Sequence, residues 1–182
     1  MIRSKYVFAV LFVLVIFITL PLSLCIAGGT RGEENYNIVK DFSQEGWDFK
    51  IGESLRDLRQ VGLVVRELTT VVDNIHVENQ KDEIRELFFD GLYINAYFPA
   101  KDHSFRLLQV VEITKQKFKI KHGLNVGVSI SKVTSVLGDP DEVKANVYIY
   151  HDDTEPALQY STVYFFIKKG MVDKVRWEFN LD

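Results

Sequence analysis

The segment from residue 124 to residue 140 constrains the fold most, because it encodes both ends of a short helix. Ser129 can cap the first turn, since its side-chain oxygen can accept a hydrogen bond from a free backbone N–H group. Gly138 suits the left-handed turn that leaves a helix, and Pro140 prevents its continuation. Between these signals, an apolar stripe at helical spacing consists of Ile130, Val133, Val136 and Leu137. The pattern predicts a short amphipathic helix packed on a sheet.

A similar pattern occurs earlier in the chain, over Phe49–Gly62. Gly52 and Ser54 of this segment align with Gly127 and Ser129, and the two glycines are 75 positions apart. A recurrence of this length is typical of one supersecondary unit that is used twice. We therefore expect a capped short helix in each half of the chain.

Each of these segments is followed by two β-rich runs that a polar turn connects, which predicts a closing hairpin in each half. A further strand is expected at Val143–Tyr150. The predicted fold is α+β, with two tandem modules over residues 47–120 and 121–182, each a short helical element packed on an antiparallel β-sheet. The runs of the two hairpins are Leu92–Phe98 with Phe105–Thr114, and Thr162–Ile167 with Val172–Phe179.

The N-terminus has the order of regions that is typical of a secretory signal peptide. Two basic residues precede an apolar run, and small residues follow, which predicts a signal peptide over residues 1–27. Two alternatives stay open: residues 6–27 could be an uncleaved anchor, since a span needs about 20 apolar residues, or Cys25 could be lipidated. All three place the folded part in the periplasm or elsewhere outside the cytoplasm. Residues 28–46 are polar and contain glycine, and predict a flexible lead-in.

The residue pattern predicts no catalytic group, no metal site and no cofactor. The chain has one cysteine and four histidines, and no two of these histidines have the close spacing of a zinc site. It also lacks a serine-nucleophile motif and a glycine-rich phosphate loop. A net charge of −3 gives no indication of a nucleic-acid partner. A carboxylate pair brought together by the tertiary fold, as in a cell-wall hydrolase, stays open as a minor possibility.

Aromatic residues in the predicted strands are the candidates for binding a partner, because aromatic side chains are favoured anchors of protein interfaces. An alternative is that these rings fill the joint between the two modules. The candidates are Tyr93 and Tyr97 in the first half, and Tyr148, Tyr150, Tyr160, Tyr164 and Phe166 in the second.

The string from Gly127 to Pro140 is similar to the pattern G-[MV]-[ST]-x-x-x-V-x-x-x-L-G-x-P of the small outer-membrane-assembly lipoproteins. Two such modules in tandem resemble the β-lactamase inhibitory protein superfamily. The first half departs from the pattern, since no proline follows Gly62 and its helix is more charged. The resemblance implies binding of an extracytoplasmic protein through an exposed sheet face, without catalysis. We therefore predict an inhibitor or immunity protein that blocks an enzyme or toxin, or alternatively a structural accessory (lipo)protein in cell-envelope assembly.

Overall fold

The computed structural model describes residues 33–48, 62–100, 107–118, 120–152 and 159–181. This part of the chain contains two α-helices, a 3-10 turn at Lys121–Gly123 and eight β-strands. The helices are α1, Glu33–Asp48, and α2, Ile130–Leu137. The strands are β1, Val64–Asp73; β2, Lys81–Phe89; β3, Leu92–Phe98; β4, Leu107–Ile113; β5, Glu142–Lys144; β6, Val147–Asp152; β7, Gln159–Lys168; and β8, Met171–Leu181.

All eight strands form one sheet in the order β1-β2-β3-β4-β8-β7-β6-β5, and every neighbouring pair is antiparallel. The two halves of the chain meet where β4 pairs with β8, with Val111 opposite Trp177. Both residues are fully buried and belong to one hydrophobic core that extends across this junction. The strands before and after residue 120 are therefore parts of a single folding unit.

The prediction of two tandem α+β modules is wrong, because the described strands form one continuous sheet with one core. Hairpin signals are local, and they do not determine whether two hairpins close separate sheets or join a common one. The segment Phe49–Gly62, which supplied the proposed first copy with Gly52 and Ser54, lies outside the described residues apart from Gly62. The structure therefore gives no support to a tandem repeat.

The predicted helix after residue 124 is confirmed as α2. The Ser129 side chain accepts a hydrogen bond from the backbone N–H of Lys132 at 3.2 Å, as expected of an N-cap. Val133 and Leu137 are fully buried in the core. Gly138 ends the helix with φ of +78°, a conformation that glycine adopts without steric cost.

The chain before α2 is bonded to the turn between β7 and β8. The backbone N–H of Gly127 donates to the carbonyl of Val172 at 2.7 Å, and Val172 donates to Val128 at 2.8 Å. Ile130 donates to the carbonyl of Gly170 at 3.0 Å. These bonds fix where α2 begins relative to the last hairpin.

The two predicted hairpins are confirmed as β3–β4 and β7–β8. The single strand expected at Val143–Tyr150 is instead two strands, β5 and β6, which pair with each other. A turn at Ala145 and Asn146 separates them, and Ala145 has φ of +53°, which an extended strand does not allow.

The flexible lead-in predicted for residues 28–46 is not what the structure shows, since α1 begins at Glu33. Val39 and Phe42 on this helix are buried in the core. The Phe42 ring stacks on the Phe165 ring, with the ring centroids 5.6 Å apart. The backbone carbonyl of Phe42 accepts a hydrogen bond from the Trp177 indole N–H at 3.1 Å. Tertiary packing thus stabilises a helix whose polar composition suggested a loop.

A charged contact holds α1 against the 3-10 turn. Asp41 binds the Lys121 ammonium at 2.9 Å and the His122 ring at 3.0 Å. The hydrogen bond from Lys121 is the main cause that lowers the pKa of Asp41 below its usual value. Asp41 therefore stays ionised and paired at neutral pH.

Candidate functional site

The sheet has one face that packs against the helices and a second face, here called the outer face, that points away from them. On β3 the alternate residues from Leu92 to Phe98 are buried on the helix side. Tyr93, Asn95 and Tyr97 lie between them on the outer face and are half-buried. This alternation determines which of the predicted aromatic residues lie on the same face of the sheet.

The sheet separates the predicted aromatic residues into two groups. Tyr148 lies opposite Phe165 in the strand register, on the helix side. Tyr150 is fully buried there, and its hydroxyl donates to the Gly138 carbonyl at 3.1 Å. The side chain of Tyr160 lies outside the described residues. The residues on the outer face are Tyr93, Tyr97, Tyr164 and Phe166.

Two of these four residues belong to a single row that crosses six strands, here called the outer strip. Its members lie directly opposite one another in the strand register, from β1 across to β7. Aromatic side chains and opposite charges therefore share one line across the face, with neighbours close enough to interact. In order, the outer strip is Arg66, Phe88, Tyr93, Glu112, Arg176 and Tyr164.

The middle of the outer strip is a network of ion pairs between β4 and β8. Glu112 lies 3.0 Å from the Lys174 ammonium and 3.8 Å from the Arg176 guanidinium. Arg176 also binds Glu178 at 2.5 Å. The Glu112 side chain is only 18% exposed and that of Arg176 is 33% exposed, so the network is partly withdrawn from water. The network holds two acidic and two basic groups, so its charges balance.

Aromatic rings flank this network on both sides. Tyr93 donates its hydroxyl to Glu86 at 2.9 Å and lies 5.0 Å from the Phe88 ring, between centroids. Next to the strip, the Lys174 ammonium lies 4.0 Å from the centroid of Phe166. The rings are therefore held in place by polar and cation–π contacts within the sheet.

The two tyrosines of the outer strip remain protonated at neutral pH. Burial is the main cause that raises the pKa of Tyr164 to about 12, and a hydrogen bond with Glu178 is the second cause. Burial is also the main cause that raises the pKa of Tyr93. Each phenol therefore keeps its proton and donates it to a carboxylate of the same sheet, Glu86 for Tyr93 and Glu178 for Tyr164.

Tyr97 has a different role, since its hydroxyl donates to Asp82 at the end of the sheet. Asp82 is buried and also accepts hydrogen bonds from Asn74 at 2.6 Å and from Gln80 at 3.0 Å. The backbone N–H of Ala100 donates to it at 2.9 Å. This cluster ties the β1–β2 connection to β3, so Tyr97 is a structural residue.

The sequence prediction missed most of the outer strip. It identified Tyr93 and Tyr164 but not the Phe88 ring between Arg66 and Tyr93. It also missed the ion-pair network with Glu112 and Arg176, which no motif marks. The alternation of charged and apolar residues on β8 was the available signal, because it shows that Lys174, Arg176 and Glu178 share a face. It does not show that β4 lies next to that face.

A polar hollow of about 390 Å³ lies at the connection between β1 and β2. It contains none of the predicted partner-binding residues. Within the described ranges, no three His, Cys, Asp or Glu side chains are grouped so that they could hold a metal ion. The helices described are also too short or too polar to cross a membrane. The hollow is lined by Asp73, Asn74, Glu78, Asn79, Gln80 and Lys81.

No protein-family model matches the chain, and no curated protein matches it. Among solved structures, the chain is similar to the crystal structure of the uncharacterized protein YfeY from Escherichia coli. The two share 13% sequence identity over 70% of this chain and 88% of that one, with a TM-score of 0.37.

Proposed function

We propose that the chain is an exported, non-catalytic binding protein whose outer face recognises another protein. The observation that carries this proposal is the outer strip, in which half-buried aromatic rings alternate with a partly desolvated ion-pair network. Interface cores are enriched in Tyr, Phe and Arg, because these residues contribute large contact areas and directed hydrogen bonds. The occupant is a folded protein surface or an extended segment with both apolar and charged groups.

Inhibition of the bound partner is the form of this function that we favour. A sheet face whose side chains are held by contacts within the sheet can cover an active site or a toxin surface without any chemistry of its own. The order of charged, apolar and small residues over residues 1–27 supports export, so the partner would be met outside the cytoplasm.

The first test places a photo-cross-linking amino acid at Tyr93 or Tyr164 in the full chain, within cells of the source organism. The same partner should be captured from both positions, and purified partner should then bind the unmodified chain. Tyr164→Ala and Arg176→Ala should each raise the dissociation constant by about 30-fold, because loss of a central anchor costs about 2 kcal/mol. If the partner is an enzyme or toxin, an excess of the chain should lower its activity.

The matched control is Lys132→Ala, because Lys132 is exposed on α2, away from the outer face. This variant should bind the partner with unchanged affinity. Circular dichroism spectra should show that all three variants are folded. Equal affinity of Tyr164→Ala and the parent chain, or capture only from positions on α2, would contradict the proposal.

A further inference from the structure

The two edges of the sheet are protected to different degrees. At one edge, β5 has only three residues, and its Lys144 is paired with Glu142 at 2.5 Å. At the other edge, β1 has ten residues, and in the described part of the chain it pairs with β2 alone. Short, charged edges resist pairing with other strands, whereas a long edge presents a row of free backbone groups.

The side chains of β1 are also unusually apolar for an exposed strand. Val65 is 74% exposed, Val71 is 62% exposed and Leu68 is 44% exposed. Exposed apolar residues along a strand that has one strand neighbour among the described residues are typical of a site where another strand adds to the sheet.

The charged residues of β1 do not protect this edge, because they interact within their own sheet. The Arg66 guanidinium lies 4.1 Å from the centroid of the Phe88 ring on β2. Glu67 lies 3.9 Å from the Arg85 guanidinium, also on β2. The third charged residue, Asp73, pairs with Lys81 on β2, so all three charges are directed toward the neighbouring strand.

The sequence of β1 is complementary to a second copy of itself. Two copies of the strand can pair antiparallel about a twofold axis that is normal to the sheet. Opposite residues then share a face of the joined sheet. This requires the axis to lie at one residue, which pairs with its own copy. With the axis at Leu68, Leu68 meets its own copy and Arg66 lies opposite Thr70. Val65, at the bulge where β1 shifts its register against β2, comes next to Val71. The exposed apolar residues of the edge are then covered by each other.

The four centres within two positions of Leu68 are less favourable. An axis at Arg66 or Glu67 places like charges opposite each other, and an axis at Thr70 places Glu67 opposite Asp73. An axis at Thr69 places both acidic side chains opposite valines. Like charges in opposite positions destabilise a pair of strands, so the register centred on Leu68 is the one that the sequence favours.

We propose that two copies of this chain associate edge to edge through β1, in an antiparallel register centred on Leu68, and so continue their sheets into one. This contact uses the backbone edge of β1, at the end of the outer strip where Arg66 lies. The existence of this contact does not rest on the function proposed above.

The test uses the full chain with Cys25 replaced by Ser, purified in a mild detergent. Leu68→Cys should form an intermolecular disulfide under mild oxidation, because opposite Cα atoms in an antiparallel pair are about 4.5 to 5.5 Å apart. Arg66→Cys alone should not cross-link, but a mixture of Arg66→Cys and Thr70→Cys should. Sedimentation velocity should show a dimer, and Leu68→Lys should convert it to a folded monomer.

The matched control is Val143→Cys on β5, because this valine is 52% exposed at the opposite edge. It should not form a disulfide. A monomer at all concentrations together with no Leu68→Cys cross-link would overturn the proposal. Equal cross-linking from Val143→Cys, or cross-linking of Arg66→Cys with itself, would overturn it as well.

Discussion

At the scale of single residues, Asp82 is the side chain that couples the stability of the fold to pH. It is a buried carboxylate that receives hydrogen bonds from four different residues of the β1–β2 connection, β3 and the segment after it. The hydrogen bond from Tyr97 is the main cause that lowers its pKa to about 2. A buried charge with this many donors stabilises the fold only while it remains ionised.

The acid dependence of stability should therefore report on Asp82. An unfolded Asp has a pKa of about 3.9, whereas the folded value is about 2. Protonation thus favours the unfolded state, so the stabilisation is complete above about pH 4 and is lost as the pH falls toward 2. Urea unfolding at a series of pH values should show this loss in the parent chain and a smaller one in Asp82→Asn.

Asp73→Asn is the control for this prediction, since Asp73 is an exposed residue that pairs with Lys81. This variant should keep the acid dependence of the parent chain. The same acid dependence in Asp82→Asn and the parent would contradict the role given to the Asp82 cluster.

At the scale of secondary-structure elements, α2 depends on its N-cap. The helix has only eight residues, so one lost capping bond removes a large share of its stabilisation. Ser129→Ala should lower the free energy of unfolding by about 1 kcal/mol. Urea unfolding of the full chain measures this difference.

Ser131→Ala provides the comparison, because Ser131 is exposed within the same helix. This change should have little effect or stabilise slightly, since Ala is the better helix former. Equal destabilisation by the two substitutions would show that the Ser129 cap contributes nothing specific.

Elements with local signals could be predicted from the sequence, and elements stabilised by distant contacts could not. Three signals lie within the element that they predict or next to it. They are the cap of α2 at Ser129, its end at Gly138, and the alternation of charged and apolar residues on β8. Helix α1 has no comparable local signal, since its formation depends on the burial of Phe42 against two distant strands. Its polar composition therefore indicated a loop.

The predicted binding residues were separated for a similar reason. Side chains of a strand alternate between the two faces of the sheet. Lengthening a turn by one residue can therefore move every side chain of the following strand to the opposite face. The turn at Ala145 and Asn146 sets the register of β6, and that register places Tyr150 in the core. Composition indicates that an aromatic residue lies in a strand, but not which face it occupies.

At the scale of the whole molecule, the pairing of β4 with β8 makes the sheet a single unit. Val111 and Trp177 are buried on both sides of this junction, and α1 covers part of the second half. Neither half contains a complete core. The intact chain should therefore unfold in one cooperative transition.

A cut at residue 120 tests this prediction. The fragments 1–120 and 121–182 should each lack cooperative unfolding when produced alone, because each exposes apolar residues that the other covers. Thermal unfolding followed by circular dichroism distinguishes the outcomes. Two fragments with separate cooperative transitions would restore the view of two independent modules.

The contact between Trp177 and Phe42 joins residues 135 positions apart, which has a consequence for how the protein is made. The aromatic centre of the molecule cannot close until the last hairpin has emerged from the ribosome. Folds that depend on such distant contacts form slowly, since a long loop must be ordered first. The nascent chain therefore lacks its aromatic centre until synthesis of β8 is complete, and the earlier strands wait for their last neighbour until then.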